Sequence, residues 1–286
     1  IGPISSLSKQ IAGCLLNWLA SIVLRKKVTY RHIPWIARKH ARIIERKLAG
    51  RHFDLLIAAE ATPEVAYVQT DIPLIVITDA TFAQRLNYES PYMQLTEWSA
   101  QHADAVESRA YNNAYALLLN SQWVARSMVE DYFIDPLRVY SVPFGAPLLS
   151  LPPKEIALTK RRSYHCTLLF IGDNWQLKGG DIAFETLLAL EASYNIQAEL
   201  IICGTTPPPE LTHPRIKIFP QLDRGHEMQR NELERLYLRS DFLLIPTSSE
   251  TTGIHCCEAA AYGMPVLVAD TGPLTEFITN GENGFV

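Results

Sequence analysis

The chain has 286 residues, of which 48% are hydrophobic, and both values are typical of a globular protein with about two domains. Its formal net charge of -4 excludes the overall basicity that is typical of nucleic-acid-binding proteins. Five cysteines without paired spacing indicate reduced thiols and a cytoplasmic protein. The run His255-Cys256-Cys257 lacks metal-ligand spacing, so we expect no metal site.

The first apolar segment, Ile11–Leu24, is interrupted by Asn17 and Ser21 and is too short to span a bilayer. It has neither a basic leading region nor a clear cleavage site, so we do not predict a signal peptide. Because the sequence starts with Ile1 rather than Met, we expect a processed or incomplete piece.

A basic segment follows, over residues 25–51, in which only Glu45 opposes the positive charge. Its basic residues are Arg25, Lys26, Lys27, Arg31, Arg38, Lys39, Arg42, Arg46, Lys47 and Arg51. Apolar residues recur at helical spacing between Trp35 and Leu48. Two interpretations stay open. The segment is either a surface helix with a solvated basic face, or it adsorbs to anionic lipids at the inner face of the cell membrane. In the second, each basic residue would contribute about 1 kcal/mol.

The first half of the chain then alternates short apolar runs with longer amphipathic stretches. The predicted strands are Asp54–Ala59, Leu74–Thr78, Tyr115–Leu119 and Val139–Val142. The predicted helices are Glu97–Asn113 and Gln122–Asp131, the second with Ser121 as its N-cap.

The second half repeats this alternation after a proline-rich break over residues 142–155. The predicted strands are Thr167–Ile171, Glu199–Cys203, Ile216–Phe219, Phe242–Ile245 and Val266–Ala269. The predicted helices are Asp181–Ser193, Glu227–Arg239 and Gly253–Tyr262. Continuous apolar strands separated by helices indicate parallel sheets covered on both faces. We therefore predict two α/β domains, residues 1–146 and 147–286, with ligands at the carboxyl ends of the strands.

One candidate ligand loop follows the first strand of the second domain, in the sequence "LLFIGDNWQLKGGDIAFETL". The strand ends at Gly172, and Lys178 stands before two glycines that let the backbone approach a ligand. A lysine here supplies a point charge for phosphate. The alternative is a plain strand-to-helix turn with a solvated lysine, and this segment alone does not decide between the two.

A second candidate is "SSETTGIHCCEAAAYGMPV", residues 248–266. A helix is predicted to begin near Gly253, so that the free amides of Thr252, Gly253 and Ile254 form an anion site. Glu250 precedes this helix and Glu258 lies inside it. Each glutamate alone has a structural explanation, in the helix dipole or in surface exposure. Together they flank one predicted anion site near a second phosphate candidate, which favours a functional interpretation.

In these segments the chain resembles the family 4 retaining glycosyltransferases, which have the GT-B architecture of two Rossmann-like domains with parallel sheets facing a central cleft. The stretch "LNSQWVARSMVEDYFIDPLRVYSVPFGA" is similar to the end of the family's N-terminal domain and its hinge. The stretch "FIGDNWQLKGGDIA" is similar to its phosphate loop, and residues 241–286 to its E-x7-E block. The resemblance covers most of residues 54–286.

The resemblance implies a role for each matching position. Gly172 and Lys178 would bind the donor diphosphate, and Glu250 would bind hydroxyl groups of the donor sugar. Glu258 would bind the ribose hydroxyls. The amides of Thr252, Gly253 and Ile254 would complete the grip on phosphate and sugar. Preorganised donors of this kind stabilise the charge that builds up on the departing diphosphate.

The implied activity is metal-independent retaining transfer of a sugar from a nucleotide-diphosphate sugar to a hydroxyl acceptor, which is a glycan, a lipid or a small molecule. No further cofactor is expected. Two alternatives stay open: a related GT-B nucleotide-sugar epimerase, which needs no acceptor, and a nucleotide-sugar-binding protein that has lost activity.

The sequence departs from the family pattern at several positions. Asp173 and Asn174 stand where many members have a phosphate-binding arginine, and Thr252 stands where an aromatic residue is common. Asp79 stands where many members have a histidine; it is either a donor or acceptor contact or a turn residue. The family's first strand and its last helices are not seen, so we expect a chain that is truncated at both ends.

Overall fold

The computed structural model describes residues 26–88, 90–159 and 165–286. The segment Ile11–Leu24 lies outside these ranges. The chain divides into two compact units, Ile1–Pro143 and Phe144–Val286, called here the N-terminal and the C-terminal unit.

The N-terminal unit is built on a parallel sheet of four strands in the order β1-β2-β3-β4. The strands are β1 (Leu56–Ala59), β2 (Leu74–Thr78), β3 (Ala116–Leu119) and β4 (Val139–Ser141). The helices are α1 (Pro34–Leu48), α2 (Thr62–Val65), α3 (Phe82–Tyr88), α4 (Ser90–Met93), α5 (Glu97–Asn113) and α6 (Gln122–Glu130). Single 3-10 turns lie at Tyr30–His32 and Pro136–Arg138. The predicted N-cap of α6 is confirmed, since the Ser121 hydroxyl accepts a hydrogen bond from the Val124 amide at 3.3 Å.

Helix α1 carries half of the basic residues of this segment, and its apolar side faces the core of the N-terminal unit. The buried residues are Ile36, Ala37, His40, Ala41, Ile44 and Leu48. The basic residues Arg38, Arg42 and Arg46 are exposed on the other side. This arrangement favours the surface helix with a solvated basic face, because its apolar stripe is already used in packing.

The C-terminal unit is built on a parallel sheet of six strands in the order β10-β9-β8-β5-β6-β7. The strands are β5 (His165–Ile171), β6 (Gln197–Cys203), β7 (Ile216–Phe219), β8 (Phe242–Ile245), β9 (Val266–Val268) and β10 (Gly284–Phe285). The helices are α7 (Lys154–Leu158), α8 (Gly180–Tyr194), α9 (Glu227–Arg239), α10 (Ile254–Ala261) and α11 (Leu274–Phe277). Counted from the first of these strands, the order is that of a doubly wound nucleotide-binding sheet, and it reverses between β5 and β8.

Both faces of this sheet are buried, which explains why its strands are continuous apolar runs. On β5, Leu168 and Phe170 belong to one core cluster, while Leu169 between them belongs to the other. Strand β6 repeats the pattern with Ile201 on the second face. Successive side chains of a strand point to opposite faces, so each strand supplies both cores. The predicted α/β class with two parallel sheets is thereby confirmed.

No helix within the described ranges is both long enough and apolar enough to cross a membrane.

Candidate functional site

A cavity of about 340 Å³ lies in the C-terminal unit, where β5, β6 and β7 end and α10 begins. This is the edge of the sheet at which the strand order reverses, and doubly wound sheets bind ligands there. Its lining includes Gly172, Asp173, Lys178, Gly204, Arg224, Glu250, Thr252, Ile254 and His255. The structure therefore brings together most of the residues that the sequence nominates in this unit.

The loop after β5 directs Lys178 into the cavity because Gly172 has no side chain. A Cβ atom on Gly172 would lie 2.7 Å from Cγ and 2.9 Å from Cβ of Lys178. The next residue, Gly179, has a φ of +76°, and a Cβ there would lie 2.0 Å from the Pro246 carbonyl oxygen. Gly172 is required because the Lys178 side chain approaches it closely, and Gly179 because its backbone is left-handed and close to Pro246. Together the two glycines fix the position of Lys178.

The Lys178 ammonium pairs with Glu250 across the cavity, with 2.9 Å between Nζ and Oε2. Burial alone would raise the pKa of Glu250, but the charge of Lys178 and hydrogen bonds from Lys178 and Thr252 outweigh it. The pKa of Glu250 is held below its ordinary value as a result. The carboxylate is therefore ionised at neutral pH and available to accept hydrogen bonds.

The amides at the start of α10 are not free, which corrects the sequence-based expectation. Helix α10 begins at Ile254, and the amides of Thr252 and Gly253 point to Oε1 of Glu250 at 3.3 and 3.4 Å. The Ile254 amide donates to the Thr252 hydroxyl at 3.4 Å. The reason is local: Glu250 lies close enough for its own carboxylate to act as the anion at this helix end. The hydrogen bonds are long, so a ligand anion that replaces the carboxylate loses little.

Glu258 is completely buried and does not line the cavity. Its two oxygens accept hydrogen bonds from Arg224, from Nε at 2.8 Å and from Nη2 at 2.9 Å. Oε2 also accepts from the Tyr237 hydroxyl at 2.7 Å and lies 2.9 Å from Nδ1 of His255. The surface location that we considered for this residue is wrong, because its carboxylate needs these partners in order to be buried.

Burial alone would raise the pKa of Glu258, yet the pKa is lowered. The causes are a hydrogen bond and the charge of His255, the charge of Arg224 and the hydroxyl of Tyr237. Glu258 thus holds a negative charge directly behind Arg224 and His255, both of which do line the cavity.

Arg224 and His255 are cavity residues with ionisable side chains that sequence reasoning missed. Arg224 lies in the loop after β7, and its side chain is 38% exposed although it is fixed to Glu258. From the sequence, His255 is considered only as a metal ligand, but it lines the cavity and contacts Glu258. A signal for Arg224 was present: a basic residue shortly after a predicted parallel strand lies at the ligand-binding edge.

Asp79 belongs to the N-terminal unit and stands at the carboxyl end of β2. Its carboxylate forms an ion pair with Arg85, which also contacts Glu60 at 3.2 Å. Its amide donates to Oε1 of Glu60 at 3.0 Å. These contacts fit the turn residue that we considered, and a ligand contact for Asp79 stays a prediction.

The C-terminal unit has a recognisable relationship to a known group of enzymes. Residues 165–286 match the family model of the glycosyl transferases group 1. The matched range begins at β5 and contains the whole cavity.

Similarity to curated proteins extends over more of the chain at low identity. One relative is a D-inositol 3-phosphate glycosyltransferase of Acidothermus cellulolyticus, 28% identical over 185 residues. That alignment covers 59% of this chain and 41% of the relative. A protein of the same name from Corynebacterium aurimucosum is 25% identical over 238 residues, which cover 76% of this chain and 54% of the relative. The chain thus spans about half the length of the curated relatives that it matches.

Solved structures show the same fold. WaaG, a glycosyltransferase involved in lipopolysaccharide biosynthesis, aligns with a TM-score of 0.62 at 19% identity, covering 91% of this chain and 71% of WaaG. HepE of Anabaena, solved in complex with UDP and glucose, aligns with a TM-score of 0.59 at 17% identity, covering 88% and 68%. At this identity the likeness establishes the GT-B type of fold, and the activity has to be argued from the site.

Proposed function

We propose that the protein is a retaining glycosyltransferase that moves a sugar from a nucleotide-diphosphate sugar to a hydroxyl acceptor. The observation that carries the proposal is the pairing of Lys178 and Arg224 with carboxylates around one cavity at the switch point of a doubly wound sheet. The group 1 match over the same residues supports it. So does the binding of UDP and glucose by HepE, which shares the fold.

Lys178 and Arg224 would hold the donor diphosphate, and we refer to the cavity of about 340 Å³ that they line as the donor cavity. Each is already placed by a carboxylate, Lys178 by Glu250 and Arg224 by Glu258. Donors that are preorganised in this way stabilise negative charge without a cost of reorganisation during the reaction. Arg224 thereby supplies the guanidinium that Asp173 and Asn174 do not, and two fixed positive charges support metal-independent transfer.

Glu250 would contact the donor sugar, because its ionised carboxylate lies at the cavity wall beside Lys178. Thr252, Gly253 and Ile254 would complete this wall with their amides once a ligand displaces the weak internal hydrogen bonds. For Glu258 we propose a positioning role through Arg224 and His255, in place of the direct ribose contact that the family resemblance implies. The buried carboxylate reaches a ribose only after Arg224 has moved.

The proposed reaction breaks the bond between the anomeric carbon and the diphosphate oxygen and forms a bond from that carbon to the acceptor oxygen on the same face. The acceptor proton passes to the departing diphosphate. The sugar keeps its anomeric configuration, which nuclear magnetic resonance of the product determines.

Thermal unfolding with UDP-, GDP- and ADP-sugars tests donor binding. A ligand at about 100 times its dissociation constant stabilises the native state by about 2.7 kcal/mol, so at least one panel member should raise Tm clearly. Lys178→Ala should abolish this shift, whereas Lys154→Ala, an exposed lysine of the same unit, should keep it. The absence of a shift with every sugar nucleotide would refute the proposal.

Turnover is measured as release of the nucleoside diphosphate. The acceptor panel begins with D-inositol 3-phosphate, for which the curated relatives are named. Lys178→Ala should lower turnover about 100-fold, the typical effect of removing one preorganised donor to a developing anion. Binding without transfer to any acceptor would instead support the inactive nucleotide-sugar-binding protein.

A further inference from the structure

A second, strongly basic cavity lies in the N-terminal unit, between α1 and α5. It measures about 380 Å³ and is lined by Arg38 and Arg42 from α1, Arg109 from α5, and by Ala41, Glu45, Tyr67 and Gln69. Three arginines and one glutamate leave this small volume with a net charge of +2. We refer to it as the arginine cavity.

Two of the arginines converge on Tyr67, which follows α2 and is half-buried. The guanidinium carbon of Arg38 lies 4.6 Å from the centre of the Tyr67 ring, and that of Arg109 lies 4.8 Å from it. An aromatic ring attracts a cation that lies within about 6 Å of its centre. Arg42 follows Arg38 by one helical turn, so its side chain lies on the same face of α1.

Among the described residues these three charges lack a carboxylate partner, unlike Arg31 and Arg85 of the same unit. Arg31 pairs with Glu64, and Arg85 pairs with Asp79. Among the described residues, no ion pair joins Arg38, Arg42 or Arg109 to a carboxylate. The acid of the cavity, Glu45, already accepts a hydrogen bond from the Gln69 amide at 2.9 Å. Like charges one helical turn apart destabilise a helix, so the cluster has an electrostatic cost in the absence of an anion.

We propose that the arginine cavity binds a phosphate group. A phosphomonoester carries a charge of about -1.5 to -2 at neutral pH, which matches the net charge of the cavity. A guanidinium group can donate two parallel hydrogen bonds to phosphate oxygens. The contacts with the Tyr67 ring hold the guanidinium groups of Arg38 and Arg109 near the cavity before a phosphate binds. The phosphate belongs either to a soluble phosphorylated molecule or to a lipid headgroup. All residues of the arginine cavity belong to the N-terminal unit, whereas those of the donor cavity belong to the C-terminal unit.

The first test is thermal unfolding in sodium phosphate, with sodium chloride at equal ionic strength as the salt control. The whole series is measured in the Lys178→Ala background, which weakens phosphate binding at the donor cavity, and any remaining contribution from that cavity is the same in every variant. Phosphate should raise Tm and chloride should not. Arg109→Gln and Arg42→Gln should each weaken phosphate binding about tenfold, as expected for the loss of one charge-assisted hydrogen-bonding group.

The matched control is Arg46→Gln, an exposed arginine of α1 that does not line the cavity. It should leave phosphate binding unchanged. Arg42→Gln guards against a folding defect in Arg109→Gln, because Arg42 has no ring contact within the described part of the chain. Equal phosphate binding in the parent and in both cavity variants would overturn the proposal. So would equal losses in Arg46→Gln and Arg109→Gln, which would indicate a diffuse basic surface.

The second test identifies the source of the phosphate, by sedimentation with phosphatidylcholine vesicles that contain phosphatidic acid or lack it. Sedimentation with phosphatidic acid that is lost in Arg109→Gln and kept in Arg46→Gln assigns the cavity to a lipid headgroup. A phosphate-dependent rise in Tm without sedimentation assigns it to a soluble ligand. Sedimentation that Arg46→Gln and Arg109→Gln weaken equally would contradict a discrete site.

Discussion

At some positions of the donor cavity, close approach between the backbone and a neighbouring side chain allows only glycine. Gly172 is the clearest case, since the Lys178 side chain occupies the space where a Cβ would stand. We predict that Gly172→Ala displaces Lys178 and weakens sugar-nucleotide binding at least tenfold, while the free energy of unfolding falls by about 1–3 kcal/mol. Titration calorimetry with the donor and urea unfolding measure the two effects.

The control for this substitution is Gly145→Ala in the same unit. Its added Cβ would meet no atom within 4 Å. Donor binding should be unaffected there, and a similar loss of binding in both variants would contradict the role of Gly172 as the space that Lys178 requires.

Glu258 makes stability depend on pH in the acid range. Its pKa is lowered from 4.5 in the folded protein. The stabilising contribution of this carboxylate is therefore complete above about pH 4.5 and is lost as the pH falls through the lowered folded pKa. We predict that Glu258→Gln lowers the free energy of unfolding at neutral pH by about 3 kcal/mol, because it breaks a buried ion pair.

The difference between the wild type and Glu258→Gln should shrink as the pH is lowered from neutral to about pH 3, as urea unfolding at each pH will show. Glu185→Gln, at an exposed position of α8, serves as the control and should differ little from the wild type at every pH. A difference that stays constant over this range would show that the charge of Glu258 does not stabilise the fold.

Site residues differ in how far the sequence could predict them. Lys178 and Glu250 stand in the loops that follow strands, so their position at the sheet edge follows from the strand predictions, although their mutual contact does not. Arg224 and Glu258 are separated by 34 positions, and Glu258 is fully buried whereas Arg224 is partly exposed. Its formation depends on how α10 packs against the loop after β7, which no local pattern encodes.

At the scale of elements, the start of α10 depends on a left-handed glycine beside an aromatic ring. Gly253 has a φ of +64°, and a Cβ there would lie 2.4 Å from a ring carbon of Phe277. Gly50 is a matched case, with a φ of +70° and no atom within 4 Å of an added Cβ. We predict that Gly50→Ala costs about 1 kcal/mol of stability, from backbone strain alone.

Gly253→Ala should cost about 3 kcal/mol or more, because the clash with Phe277 adds to the strain. Urea unfolding of both variants measures the difference. Relief of the clash in the double variant Gly253→Ala, Phe277→Ala would locate the effect at that ring, whereas equal costs for the two single variants would mean that the ring adjusts freely.

Most long elements could be predicted because their patterns are strong. Strands β2, β7 and β8 and helices α5 and α9 have the predicted bounds. Helices α2, α4 and α11 have four residues each and strand β10 has two. Elements this short contain only about one period of a helical or strand pattern, so the pattern cannot be recognised and tertiary packing decides their existence.

At the scale of the whole chain, the order of the strands in each sheet cannot be predicted from local sequence. Alternating strands and helices predict parallel sheets, yet they do not say that β5 lies between β6 and β8. That neighbourhood creates the switch point, and hence the donor cavity. The strand order depends on which strand faces can be buried against each other. Because β5 and β6 are continuous apolar runs that are buried on both faces, their sequences are compatible with several strand orders.

Each unit closes its own core, and this has a consequence for unfolding. Leu117 is fully buried in the N-terminal core and Leu169 in the C-terminal core. Units with separate cores unfold as separate cooperative transitions. We predict two calorimetric transitions. Leu117→Ala should lower the Tm of one and Leu169→Ala the Tm of the other, because each substitution reduces the free energy of unfolding of its unit by about 2–5 kcal/mol.

A sugar nucleotide should raise only the transition that Leu169→Ala lowers, because all lining residues of the donor cavity belong to that unit. Phosphate in the Lys178→Ala background should raise only the transition that Leu117→Ala lowers, because the arginine cavity belongs to the other unit. Ligands stabilise the state that binds them by mass action, so the two calorimetric shifts report the two sites separately. A single transition that both leucine substitutions lower and both ligands raise would show that the two cores unfold as one.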